Sequence, residues 1–81
     1  MTRKHFDAIA RILAADFAVA NGAQKMTVRT ITLSMADYFV SENPNFSRER
    51  FYRAVGLDEG GYLPASALLA YSEERKARKA G

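Results

Sequence analysis

The segment NPNFSRERFYRAVG, residues 43–56, decides where one helix ends and the next begins. Pro44 ends the preceding helix, because the residue before a proline avoids the helical region of backbone space. Ser47 is a favoured N-cap residue, and Gly56 offers the left-handed conformation in which helices commonly end. The segment therefore predicts a short helix over residues 48–55 with a clear start and a clear end.

The chain before this segment predicts a first long helix. Residues 2–20 carry apolar side chains at steps of three and four, which places them on one helical face. We expect Asn21-Gly22 to end this helix in the left-handed conformation.

A second helix is expected over residues 27–42, with Thr27 as its N-cap. Its apolar residues keep helical spacing as far as Phe39. The segment is also rich in β-branched residues, which leaves a strand over residues 26–33 as the alternative.

A fourth helix is expected after the glycine-rich turn, with Pro64 at its first position. Residues 73–81 contain no large apolar side chain. They form either a solvated helix, supported by the spacing of Glu74 and Arg78, or a frayed tail. The expected apolar contacts of the fourth helix are Leu68, Leu69 and Tyr71.

These elements predict an all-α fold, a small single domain of about four helices over residues 1–72 with the third helix short. A chain of 81 residues has room for one domain. Phe46 and Phe51 are spaced as a hydrophobic staple across the start of the third helix. The expected core consists of Phe6, Ile9, Leu13, Phe17, Val28, Ile31, Met35, Phe39, Phe46 and Phe51.

The composition is typical of a soluble globular protein, with 48% hydrophobic and 26% charged residues. The absence of cysteine excludes a disulfide framework and a thiolate metal site, and the single His5 excludes a histidine-rich metal cluster. No apolar run resembles a signal-peptide core or reaches the roughly 20 residues of a membrane span. We expect a cytoplasmic protein with no membrane segment, no metal and no cofactor.

The sequence offers no catalytic constellation. Gly60-Gly61 is not followed by the Lys-Ser/Thr of a phosphate-binding loop, and His5 has no nucleophile at a diagnostic spacing. No pair of carboxylates stands out for acid–base chemistry, because surface solvation explains the acids of the first two helices. We therefore expect that the protein is not an enzyme.

The formal net charge of +3 is mild but uneven. Residues 1–56 hold eight Lys and Arg against five Asp and Glu, whereas residues 57–81 hold four of each. The second and third expected helices and the break between them resemble a helix-turn-helix in outline. The connecting turn contains a proline and no glycine, and the third helix lacks the polar side chains that usually share base contacts with arginine. The residues of this nucleic-acid alternative are Arg48, Arg50 and Arg53, which otherwise solvate a two-turn helix.

Two helices carry a second apolar line outside their main face. Ile12 and Val19 form this line on the first helix, and Leu33 and Val40 form it on the second. Either each helix touches two neighbours or an apolar patch remains exposed, and such a patch usually marks an interface. Tyrosine and arginine are favoured at interfaces. The predicted partner-binding residues are Arg50, Tyr52, Arg53, Tyr62 and Tyr71.

The stretches MTRKHFDAIARIL, MADYFVSENPNFSRERF and RAVG resemble a set of small proteins encoded by bacteriophages and prophages. The resemblance covers residues 1–57, and the Asn-Pro block is its most specific part. Ser47 stands where the pattern more often has Asp, and Val55 replaces a frequent Cys. The matching positions are Thr2, Arg3, Lys4, Phe6, Asn43, Pro44, Phe46, Arg48, Arg50, Phe51, Ala54 and Gly56.

This resemblance implies a phage accessory gene expressed in the bacterial cytoplasm, and it carries over no catalytic or binding residue. Because Arg48 and Arg50 belong to the shared pattern, it also implies that acids of the first two helices pair with them. We hypothesise a protein that binds a bacterial host protein or complex and modulates it, for example an inhibitor of host defence such as an anti-CRISPR protein. The alternatives are a small DNA- or RNA-binding protein and a self-associating helical domain that forms a homodimer.

Overall fold

The computed structural model describes the backbone of residues 3–80 and the side chains of residues 3–77. Within this range the chain forms four α-helices and no strand, which confirms the all-α prediction. The helix start expected at Thr2 and the side chain of Arg78 lie outside the described parts. The helices are α1 (Arg3–Val19), α2 (Gly22–Glu42), α3 (Arg48–Val55) and α4 (Ala65–Ala80).

The core is an aromatic cluster where α1, α2 and α3 meet. The ring of Phe39 lies at the centre, with its centroid 4.9 Å from that of Phe6, 5.4 Å from that of Phe46 and 5.5 Å from that of Phe51. Edge-to-face and tilted contacts of this kind stabilise beyond their buried area. The other buried apolar residues are Ala10, Phe17, Ala36, Tyr52, Val55, Leu57, Leu63 and Ala67.

Nine of the ten predicted core residues are buried or pack against the core, and Ile31 is the exception. The buried side of α2 is set by Thr32, Ala36 and Phe39, at steps of four and three. Ile31 lies about 100° around the helix from Thr32, toward solvent, because successive residues of a helix are separated by that angle. Its assignment to the core was therefore wrong.

The start of α2 differs from the prediction. Asn21 is its N-cap: the side chain accepts a hydrogen bond from the Gln24 N–H, and the Gln24 side chain accepts one from the Asn21 N–H. Gly22 is the first helical residue and does not have a positive φ. The expectation that Asn21-Gly22 ends α1 and that Thr27 caps α2 was wrong, because Gln24 completes a capping box. The segment for which a strand was the alternative lies inside α2.

Lys25 joins the end of α1 to the start of α2. Its ammonium donates to the carbonyls of Phe17 and Ala20, at 2.6 and 2.8 Å, and lies 4.8 Å from the centre of the Phe17 ring. A cation there adds a donor to carbonyls at the end of the helix and interacts favourably with the helix dipole. α1 and α2 are consequently joined by only Ala20 and Asn21.

We expect Asn21→Ala to lower the free energy of unfolding by about 1 kcal/mol, because it removes the side-chain oxygen that accepts the hydrogen bond of the Gln24 N–H. Asn21→Gly should cost only a few tenths of a kcal/mol. Urea denaturation followed by circular dichroism measures both values. Asn45→Ala, in the exposed loop before α3, is the matched control. An Asn21→Ala variant as stable as this control would contradict the assignment of the cap.

The predicted ends of α3 are confirmed. Ser47 accepts a hydrogen bond from the Arg50 N–H, and the Phe46 and Phe51 rings pack 5.5 Å apart as the staple. Gly56 has φ 121°, and its N–H donates to the Tyr52 carbonyl. Local signals alone therefore define this helix.

α4 runs antiparallel to α2 and, within the described range, packs against no other helix. Arg29 Nε donates to the Gly61 carbonyl at 2.7 Å, and the Gly22 N–H donates to Glu74 Oε2 at 2.5 Å. Beyond Glu74, the residues of α4 whose side chains the structure describes, 75–77, are all exposed. The radius of gyration is accordingly 13.8 Å, above the roughly 12 Å of a compact chain of this length.

The face of α4 that contacts α2 is narrow. Ala67 is buried and Tyr71 is half-buried, whereas Leu68 and Leu69 are exposed. The prediction that these two leucines make the main contacts of α4 was wrong, because one neighbouring helix covers only one side. Pro64 precedes the helix, and its carbonyl accepts from the first turn.

Candidate partner-binding surfaces

The apolar lines outside the main helix faces have different outcomes on α1 and α2. Leu33 packs against the core and lies beside Gly61, while Val40 is half-buried. Ile12 and Val19 remain 64% and 85% exposed. Both alternatives predicted from the sequence therefore occur. The second apolar line of α2 is covered by other parts of the chain, and that of α1 remains exposed.

A second pair of exposed apolar residues lies on α2. Ile31 is 46% exposed and Tyr38 is 58% exposed, and they are seven residues apart, as Ile12 and Val19 are. Residues seven apart share one side of a helix to within about 20°. We call these four residues the α1–α2 face.

The two halves of this face lie on the same outer side of the helix pair. On α2, the contacts with α4 and with the Gly61 loop before it involve Gly22, Arg29 and Leu33. Ile31 and Tyr38 lie on the other side of the buried stripe, next to α1. On α1, the residues that face α3 include Arg3 and Asp7, and Ile12 and Val19 lie around the helix from them, toward α2. Half-buried Ile9, Val28 and Met35 border the face and pack against the core.

The polar groups on the solvent side of α2 are largely bonded within the helix. The hydroxyls of Thr27 and Thr30 donate to carbonyls one turn earlier, and the Ser41 hydroxyl donates to the Tyr38 carbonyl. The two cations of α2, Lys25 and Arg29, donate to backbone carbonyls. Burying this surface would therefore leave few polar groups without a partner, which lowers the desolvation cost of an interface.

A cleft separates the start of α1 from α3. Its cavity has a volume of about 320 Å³. The guanidinium-bearing residues Arg3 and Arg50 line it together with Asp7. A second concavity along α1 adds Lys4 and Arg11. We call these five residues, with the apolar residues beneath them, the α1–α3 cleft.

Two of the three arginines proposed for nucleic-acid binding form ion pairs within the chain. Arg48 pairs with Asp37 of α2, and this hydrogen bond, followed by one with Tyr52, raises the pKa of Arg48 above its ordinary value. Arg53 pairs with Glu59. Hydrogen bonds with Glu49 and then with Arg53 hold the pKa of Glu59 below its ordinary value. The pairing of Arg48 with an acid of the second helix was foreseen. Arg50 instead lines the cleft.

The tyrosines predicted as exposed anchors have different environments. Tyr52 is only 6% exposed, so its assignment to a binding surface was wrong: the third helix packs this side chain against the Gly61 loop. Tyr62 is exposed, with the Arg29 guanidinium 5.2 Å from its ring centre. Tyr71 is half-buried where α4 approaches Gly22.

The predicted partner-binding residues are therefore not brought together on one surface. Arg50 and Arg53 lie on α3, while Tyr62 and Tyr71 belong to the α4 side of the molecule. The residues that the sequence analysis missed are Ile31, which was assigned to the core, and Tyr38 of the same helix. Their seven-residue spacing, which matches that of Ile12 and Val19, was the available signal.

Residues 3–77 contain no group of three or more His, Asp or Glu side chains placed to hold a metal ion. None of the helices in the described part of the chain is both long and apolar enough to cross a bilayer. No protein family, no curated protein and no solved structure matches the chain.

Proposed function

We propose that this chain is a non-enzymatic phage accessory protein that binds a bacterial host protein through the α1–α2 face and changes its activity. Specifically, we propose that it inhibits a host defence system, as an anti-CRISPR protein does. The α1–α2 face is the observation that carries the proposal. The phage setting rests on the resemblance of residues 1–57 to small phage and prophage proteins.

The composition of the α1–α2 face favours a protein as its partner. Its four named residues are two isoleucines, a valine and a tyrosine. The exposed residues of α2 include no Lys or Arg. Nucleic-acid affinity comes mainly from cations that neutralise phosphates, and the α2 part of this face has no exposed cation to do so. An apolar centre with few charges is instead typical of the buried part of a protein interface.

The first test is affinity capture of the tagged protein from a nuclease-treated bacterial lysate. We expect one host protein or complex to remain bound, and the purified partner to lose activity when the protein is added in equal amount. If the protein is an anti-CRISPR protein, its expression in a bacterium with active CRISPR immunity should restore plaque formation by a targeted phage.

Three results would contradict the proposal. Loss of every partner on nuclease treatment would support the DNA- or RNA-binding alternative. A concentration-dependent increase in particle mass, abolished by Ile12→Glu and without any captured partner, would support self-association through the same face. A captured partner whose activity is unchanged would contradict modulation.

A further inference from the structure

The α1–α3 cleft has an apolar floor and a basic rim. Its floor is formed by Phe6, Ala10, Phe46 and Phe51. The exposed residues Arg3 and Arg50 stand at the rim on opposite helices. Neither forms an ion pair within the described range, unlike Arg48 and Arg53. Two guanidinium groups are therefore available beside an apolar cavity.

The cleft also accounts for the net charge of the chain. It contains the four cations Arg3, Lys4, Arg11 and Arg50 and the single anion Asp7, a balance of +3. The whole chain has twelve Lys and Arg against nine Asp and Glu, also +3. The other eight cations are therefore balanced by eight acids, and the excess charge lies at the cleft. Such a concentration attracts an anionic group.

The chemistry of the rim fits a carboxylate. A guanidinium group binds a carboxylate through two parallel hydrogen bonds, and arginines on two helices can approach one such group from both sides. The cavity volume of about 320 Å³ is near the lower limit of the volumes of ligand pockets. A cavity of this size has room for one or two side chains. Its apolar floor fits the hydrocarbon part of such a group.

Two features favour an acidic peptide over nucleic acid. Phe6 and Phe51 are buried and Phe46 is half-buried, so the floor can contact one apolar side chain but offers no series of exposed rings on which successive bases could stack. Asp7 lies on the cleft wall between Arg3 and Arg11 and repels a phosphate backbone that would run along α1. The same carboxylate can accept a hydrogen bond from a peptide N–H.

We propose that the α1–α3 cleft binds an acidic segment of the partner protein, with an Asp or Glu carboxylate between Arg3 and Arg50 and a neighbouring apolar side chain on the aromatic floor. That the acidic segment belongs to a partner protein rests on the proposed function. The chemistry of the cleft is independent of that partner and can be tested without it.

The test is a titration of the isotope-labelled protein, followed by amide NMR shifts, with 3-phenylpropionate and its uncharged analogue 3-phenylpropanamide. We expect shifts around Asn45, Ser47 and Arg50 and at least about tenfold tighter binding of the carboxylate. Arg50→Gln should remove that preference. Arg53→Gln, which changes the same residue type on the same helix outside the cleft, should keep it.

Peptides extend the test to the proposed occupant. An acetylated and amidated Asp-Leu-Phe peptide should shift the same residues, and the Asn-Leu-Phe peptide should bind about tenfold more weakly. Equal binding of the charged and uncharged ligands, or no shift with any of them, would overturn the proposal. A larger shift of the same residues by oligodeoxythymidylate, lost steeply with salt, would assign the cleft to nucleic acid.

Different results would contradict the proposed function and the assignment of the cleft. If the carboxylate binds the cleft but no host protein is captured, the chemistry of the cleft stands and the proposed function is contradicted. If a host protein is captured but Arg50→Gln neither weakens that capture nor alters the titration, the proposed function stands and the cleft assignment is overturned.

Discussion

Phe39→Ala is expected to lower the free energy of unfolding by about 3–5 kcal/mol. The Phe39 ring packs against three other rings from α1, the loop before α3, and α3 itself. Phe-to-Ala changes in a core typically cost about 3–5 kcal/mol, through lost burial and the cavity left behind. A chain of 81 residues has a free energy of unfolding of about 4–12 kcal/mol. The expected loss is therefore a large fraction of the stability, and at the lower end of this range it equals the whole of it.

Urea denaturation of the wild type and of Phe39→Ala, followed by circular dichroism, measures this loss. Leu69→Ala is the control, since it removes a large apolar side chain from an exposed position of α4. Exposed substitutions usually change stability by less than about 0.5 kcal/mol. Equal denaturation midpoints for the two variants would contradict the central place of Phe39 in the core.

Gly22→Ala is expected to separate α4 from α2. A Cβ at this position would lie 2.5 Å from the Tyr71 Cα and 2.7 Å from its nitrogen. Backbone atoms cannot move aside as a flexible side chain can, so α4 must shift as a whole. Overpacking of this kind typically costs about 1–3 kcal/mol, and the backbone clash places Gly22→Ala at the upper end. That loss exceeds the gain of up to about 1 kcal/mol from replacing a helical glycine with alanine.

Hydrogen exchange of the backbone amides measures the separation of α4 from α2. In Gly22→Ala the amides of α4 should exchange much faster than in the wild type, while those of α1 and α3 should change little. Gly60→Ala is the matched control, because the Cβ there would mainly meet the exposed side chain of Tyr62. A Gly22→Ala variant more stable than wild type would show that helix propensity dominates and that the close approach of α4 is not required.

The elements that follow from local signals were predictable from the sequence. Ser47, the staple of Phe46 and Phe51, and the left-handed Gly56 act within about ten residues of chain, and the structure contains all of them. The aromatic core was predictable because Phe6 and Phe39 recur at helical spacing with their neighbours. Helix spacing alone thus defined most of the fold.

The errors came from features that local patterns leave ambiguous. Asn-Gly is compatible both with the end of one helix and with the start of the next, and only the reciprocal bond of Gln24 decides. Leu68 and Leu69 are large apolar residues of α4, but their exposure depends on how many helices surround that helix. The number of helices around α4 cannot be read from a sequence pattern.

The candidate surfaces were predictable in part. The unpaired line of Ile12 and Val19 was recognised, whereas Ile31 was assigned to the core because both sides of α2 carry apolar residues. The partners of Arg48 and Arg53 depend on tertiary structure, since Asp37 and Arg48 are eleven positions apart. Only the fold leaves Arg50 facing Arg3 across a cleft.

The most direct test of the central claim compares Ile12→Glu with Leu69→Glu in binding to the captured host protein. The two positions are 64% and 63% exposed on different helices, so both variants should fold like the wild type. A charge placed at the centre of an apolar interface should cost at least about 2 kcal/mol, or more than tenfold in affinity. We predict this loss for Ile12→Glu and wild-type affinity for Leu69→Glu, and equal affinities would contradict the assignment of the α1–α2 face.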